Sequence, residues 1–173
     1  MTTIVDGTAG VTFPAGGVGN PAGAVVGTTD TQTLTNKTLA VTGNTFNFTP
    51  ITASLSGDVA LNNTANYFDG PSVAQGTAGT WFVSGTVVVM DTTAGSNSIV
   101  AKLWDGTTVI ASSAVVASNI GASNFSISLS GYLVSPAGNL RISVRDVTTT
   151  AGKIIFNGSG NSKDSTITAI RIA

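Results

Sequence analysis

Residues 125–133 read Phe-Ser-Ile-Ser-Leu-Ser-Gly-Tyr-Leu, and this run decides the fold class. Phe125, Ile127, Leu129 and Leu133 alternate with Ser126, Ser128 and Ser130. A strict period of two describes a strand with one face in a core and the other in water. Downstream, Leu140-Arg141-Ile142-Ser143-Val144-Arg145 repeats the alternation after Ser135-Pro136-Ala137-Gly138-Asn139, a turn composition, so the two runs are expected to pair as a hairpin. Upstream, Lys102-Leu103-Trp104 and Thr107-Thr108-Val109-Ile110 flank Asp105-Gly106, the dipeptide expected to supply a tight type I′ hairpin.

The run from Trp81 to Met90 differs, because Val87, Val88 and Val89 place apolar groups on both faces and Phe82 falls opposite Trp81. Such a strand needs cover on two sides. The partner sheet supplies one cover and a neighbouring subunit is expected to supply the other, which makes Phe82 and Val88 the candidate trimer face. Further strands are expected near residues 57–61, 66–69, 98–104, 107–116, 152–157 and 165–172. Eight or nine strands of this length predict an antiparallel β-sandwich of jelly-roll type over residues 51–173.

Composition agrees with an all-β chain. Charged residues make up only 9% of the 173 residues, so Thr, Ser and Asn must build the polar surface. Thr and Val favour pleated surfaces, and all eight acidic residues are Asp, which prefers turns to helices. Residues 1–50 have a different texture, rich in Gly, Ala, Pro and Thr, with large apolar residues occurring singly. A segment of this kind cannot bury a core of its own, and an extended N-terminal arm that gains order against a partner is expected.

The net charge of −1 and seven dispersed basic residues predict neither nucleic acid nor a membrane as partner. Met1-Thr2-Thr3 begins no basic, apolar leader, which predicts folding in the cytoplasm of the cell that makes the chain. Without Cys or His there is no disulfide, no thiolate metal site and no imidazole base, and no cofactor is expected.

Residues 27–39, Gly-Thr-Thr-Asp-Thr-Gln-Thr-Leu-Thr-Asn-Lys-Thr-Leu, closely resemble a segment found repeatedly in fibre and minor structural proteins of tailed phages, and residues 5–16 resemble the start of many such proteins. The resemblance implies a virion structural protein, a trimeric fibre, spike or capsid decoration subunit, located in the virion with other capsid or tail proteins as partners. Its N-terminal part would dock or trimerise, and its C-terminal part would project. The element occurs once, whereas fibre proteins often repeat it, which argues against a long shaft. The spaced side chains Phe13, Thr31, Leu34 and Leu39 are the candidate attachment and trimerisation residues. Three chains wound about an axis would bury both leucines and pair the Thr-rich backbone.

Asp58, Asp69, Asp91, Asp105, Asp146 and Asp164 sit beside turn residues, so caps rather than a catalytic carboxylate pair are expected, and no reaction is assigned. Residues 157–164 have the oxygen content of a calcium loop but lack its acidic density, and a plain hairpin connection is preferred there. Trp81, Phe82, Phe125 and Phe156 are assigned to burial. Trp104, on the strand face of Lys102, and Tyr132, on the serine-rich face of its strand, are the candidate glycan contacts. They support an alternative reading as a carbohydrate-binding, host-recognition module.

Overall fold

A computed structural model describes residues 4–6, 10–12, 48–76, 78–118 and 123–173. The chain divides into two units, Met1–Thr45 and Phe46–Ala173. In the first unit β1 (Ile4–Asp6) pairs antiparallel with β2 (Gly10–Thr12). Phe13, Thr31, Leu34 and Leu39, the candidate attachment residues, lie outside the described residues.

The second unit is all-β and antiparallel. Its strands are β3 (Ile51–Ser54), β4 (Val59–Leu61), β5 (Phe68–Val73), β6 (Thr80–Asp91), β7 (Ser96–Trp104), β8 (Val109–Ser118), β9 (Asn124–Val134), β10 (Leu140–Asp146), β11 (Gly152–Ile155) and β12 (Thr166–Arg171). One sheet runs β5-β10-β7-β8. The other is built on β6, the longest strand, which pairs with β9 along one edge and with β12 and then β11 along the other. β12 carries β3 and β11 carries β4 at the outer rim.

β11 and β12 are therefore one strand interrupted by residues 156–165, and β3 and β4 match that break. The side chain of Ser165, 1% exposed, mends it: its hydroxyl donates to the Ile155 carbonyl at 2.7 Å and accepts from the Val88 amide at 3.0 Å. Across the same gap the Leu55 amide donates to the Ser165 carbonyl at 3.1 Å, and the Phe156 amide to the Asp58 carboxylate at 3.2 Å. Backbone groups that would otherwise be orphaned are thus satisfied.

The core lies between the two layers, with Val83, Val87, Val89, Ile127, Leu129, Ile154 and Ile167 from one sheet against Val73, Ile99, Leu103, Leu140, Ile142 and Val144 from the other. The alternation of β9 is as the sequence predicts, with Ile127 and Leu129 buried and Ser126, Ser128 and Ser130 exposed. On β6, Trp81, Val83, Val87 and Val89 are buried while Phe82, Val88 and Met90 face outward and are half-buried. Gly85 lets the layers close, since a Cβ there would lie 2.7 Å from the Thr166 carbonyl oxygen and 2.9 Å from Ile142 Cδ1.

Three local expectations are corrected. β9 and β10 do not form a hairpin: β9 pairs with β6, while β10 pairs with β5 and β7, so residues 135–139 cross between the layers. Ser135 at φ 48° turns the chain out of β9, which runs along nearly the whole of β6, while β10 is flanked on both edges by β5 and β7. The β7–β8 turn is not a two-residue type I′ turn. Only Gly106 has positive φ, at 98°, and the connection spans residues 105–108, because the Asp105 carboxylate accepts from the Thr107 and Thr108 amides and holds a wider loop. Residues 157–164 belong to the loop interrupting β11 and β12 and join no hairpin.

Candidate functional surfaces

The buried carboxylates organise the ends of the sandwich. Asp105, 4% exposed, accepts amides from Thr107 at 2.9 Å, Thr108 at 2.6 Å and Ala137 at 2.7 Å, tying the β7–β8 loop to the segment after β9. Burial opposes ionisation, but the backbone donors, Ala137 foremost, outweigh it and hold the carboxyl below its ordinary pKa. Asp91 and Asp146 meet at the other end, where the Thr149 hydroxyl lies 2.6 Å from one and 2.9 Å from the other. Burial again works against charge on Asp91, and the Thr149 hydroxyl and Thr93 amide more than offset it, lowering the pKa. This meeting of Asp91 and Asp146, 55 positions apart in the sequence, was not predicted.

Both groups are closed to solvent, at 3% and 0% exposure, and each caps a turn through the amides of Thr93, Thr148 and Thr149. Asp164 accepts from the Ser159 hydroxyl and from its amide at 2.7 Å, which holds its carboxyl below the ordinary range. Among the described residues no group of three or more acidic side chains stands where it could hold a metal ion.

Two outward surfaces remain. On the β6 sheet, the register aligns Tyr132 of β9, Phe82 of β6 and Ile170 of β12 across three neighbouring strands. The Phe82 and Tyr132 rings lie 5.2 Å apart at 50°. Tyr132 is 65% exposed, Val134 68% and Ile172 43%, so this end of the sheet presents an apolar patch to solvent. Val88, on the same face, lies six residues from Phe82, roughly 20 Å along the strand. It lines a separate hollow with Asn124, Phe125, Ser126 and the 158–164 loop, so the two candidate trimer residues do not form one contiguous patch. Between them runs a band of hydroxyls, including the Thr86–Ser128 pair at 2.9 Å and the Thr52–Thr168 pair at 3.2 Å.

On the β5-β10-β7-β8 sheet, the outward face carries a cationic cluster. Lys102 Nζ sits 3.2 Å from the centre of the Trp104 ring and 4.3 Å from that of Tyr67. The Arg141 guanidinium lies 4.8 Å from the Trp104 ring centre, and that of Arg145 lies 5.1 Å from Tyr67. Beneath them Ser143, fully buried, accepts from Trp104 Nε1 at 2.6 Å and donates to Asp69 at 2.5 Å. Arg141 Nε approaches the Asp69 carboxylate at 3.2 Å, close enough for charge attraction but not aligned as a hydrogen bond. Burial first, and the Arg141 charge second, lower the Lys102 pKa.

The cluster alters the expected role of Trp104. Its ring is covered by Lys102 and Arg141 and its N–H is engaged, so it fixes cations instead of offering a bare face to a sugar. Tyr132 has no part in this cluster and lies on the opposite sheet. Alternation alone showed that Lys102 and Trp104 share a face; that Arg141, Arg145 and Tyr67 join them depends on strand pairing.

No protein-family model and no curated protein match the chain. Among solved structures, the chain is similar to the Eiger TNF of S. frugiperda, at 16% identity and a TM-score of 0.44, over 73% of this chain and 93% of that one. It is similar to the C-terminal CBM6 of LamC, a marine laminarinase from Zobellia galactanivorans, at 10% identity and a TM-score of 0.35, over 72% and 100%. It is also similar to the PRD1 vertex protein P5, at 16% identity and a TM-score of 0.34, over 72% and 96%. At these values none of the three assigns a function to this chain.

Proposed function

We propose that this chain is a non-enzymatic structural subunit of a phage virion, a homotrimeric fibre, spike or decoration protein of jelly-roll type. Residues 1–50 attach it to capsid or tail proteins, and the sandwich projects. The jelly-roll reading rests on strand order. With β3 and β4 counted as one strand and β11 and β12 as another, the eight strands form layers 1-8-3-6 and 2-7-4-5, the winding of that fold.

One observation carries the trimer: the apolar end formed by Phe82, Tyr132, Val134, Ile170 and Ile172 on the outer face of the β6 sheet. Contiguous exposed apolar surface on a small domain marks an association site. In a chain with 9% charged residues there is little ionic surface to keep such a patch apart from copies of itself. The phage-like segment at residues 27–39 supports the virion setting.

Light scattering on the purified chain tests the assembly. A trimeric mass at micromolar concentration is expected, with a shift towards monomer in Tyr132→Asp. A monomeric mass for the unaltered chain would overturn the trimer. Antibody labelling of particles in electron micrographs tests the location, and absence of label from purified particles would overturn it.

A further inference from the structure

We propose that the outer face of the β5-β10-β7-β8 sheet, centred on Lys102, Arg141 and Arg145, binds the carboxylates of an acidic polysaccharide. The starting point is charge. Three of the chain's seven basic residues gather on this face, with Asp69 as the single carboxylate of the cluster. Among the described residues Lys102 and Arg145 have no carboxylate within ion-pair distance, and neither Arg141 Nε nor Arg145 Nε has a hydrogen-bond acceptor. Three like charges are thus held together with one carboxylate to offset them, in a chain with only 9% charged residues.

The cations are also held in place. Trp104 and Tyr67 carry them on their ring faces, so less side-chain freedom is lost when an anion arrives. Asp69 shows how a carboxylate seats here, accepting the Ser143 hydroxyl while lying beside Arg141. A guanidinium suits a carboxylate better than an ammonium does, because its planar donors match two oxygens.

Shape selects the ligand. Arg141, Ser143 and Arg145 alternate along one face of β10, spanning roughly 13 Å, with Lys102 opposite Ser143 on β7. A row of that length fits a linear polymer bearing charge at intervals. Three cations are too few to hold duplex nucleic acid, and the occupied ring faces leave no platform for bases. A peptide would add as a strand at a sheet edge, whereas this row lies on the two central strands. The flanking hydroxyls of Ser72, Ser98 and Ser112 suit a ligand rich in hydroxyls.

The apolar end proposed for trimerisation lies on the other sheet, so this inference stands or falls independently of the assembly. The test is calorimetric titration of the full chain at low salt with polygalacturonate, methyl-esterified polygalacturonate and polyglutamate. Polygalacturonate is expected to bind, the ester not to, and Arg145→Gln to weaken binding at least tenfold with an unchanged urea midpoint. Asp69→Asn is expected to tighten binding several-fold, because it removes the competing carboxylate while retaining an acceptor for Ser143. Equal binding of the ester, no binding of polygalacturonate, or unaltered affinity in both variants would overturn the proposal. Polyglutamate binding as tightly as polygalacturonate would overturn it in favour of an acidic polypeptide.

Discussion

Single side chains in this protein substitute for backbone pairing that the strands leave undone. Ser165 supplies both a donor and an acceptor at the break between β11 and β12, so Ser165→Ala orphans the Val88 amide and the Ile155 carbonyl together. A loss of about 2–4 kcal/mol is expected, from a cost of roughly 1–3 kcal/mol per unmet buried group, read as a lower urea midpoint. Asp105 does the same for three amides, and its carboxyl is held below the ordinary pKa of an aspartate. Because the folded value lies below the unfolded one, its contribution is complete above about pH 4 and fades as acid protonates the folded carboxylate. Asp91 acts in the same sense. Urea midpoints should therefore fall as the pH drops below about 4, and the fall should be shallower in Asp105→Asn. Residue type made caps of these aspartates in the sequence, but nothing in it marks Ser165 among so many other serines.

At the level of elements, β6 and β10 organise the sandwich because each pairs on both edges and buries one face completely. Ile142, fully buried at the centre of β10, touches the space above Gly85 on the opposite layer. Ile142→Ala is expected to cost about 2–5 kcal/mol, and Val134→Ala, at a site 68% exposed, to cost less than about 0.5 kcal/mol in a monomeric reference state. Gly85→Ala should destabilise by about 1–3 kcal/mol, since the added methyl meets backbone on a strand that cannot shift alone. Chemical denaturation of the three variants checks the order. The periodicity of β9 and β10 was legible from alternation, but their partners were not. A period of two says which side chains share a face and nothing about which strand lies beside them. Nearness in sequence suggested a hairpin, and the crossing at residues 135–139 was invisible because a turn composition serves both.

For the whole molecule, the two sheets present opposite outer surfaces, one with an apolar end and one with a cationic centre. If the apolar end joins copies of the chain, Tyr132→Asp should lower the thermal midpoint of the assembly and make it depend less on concentration, which scanning at several concentrations would show. Arg145→Gln should leave that dependence unaltered. The sequence by itself determined the all-β class, the inward side of β9 and β10 and the turn chemistry of Asp91, Asp105, Asp146 and Asp164, because these follow from residue type and a local period. Asp69, read as a turn residue, lies instead within β5 beside Arg141. Only the tertiary structure decided which strands pair, that β11 and β12 are one interrupted strand, and that Tyr67, Lys102, Trp104, Arg141 and Arg145 share a surface. Those relations join residues tens of positions apart, and they arise from the packing of two layers that no local pattern encodes.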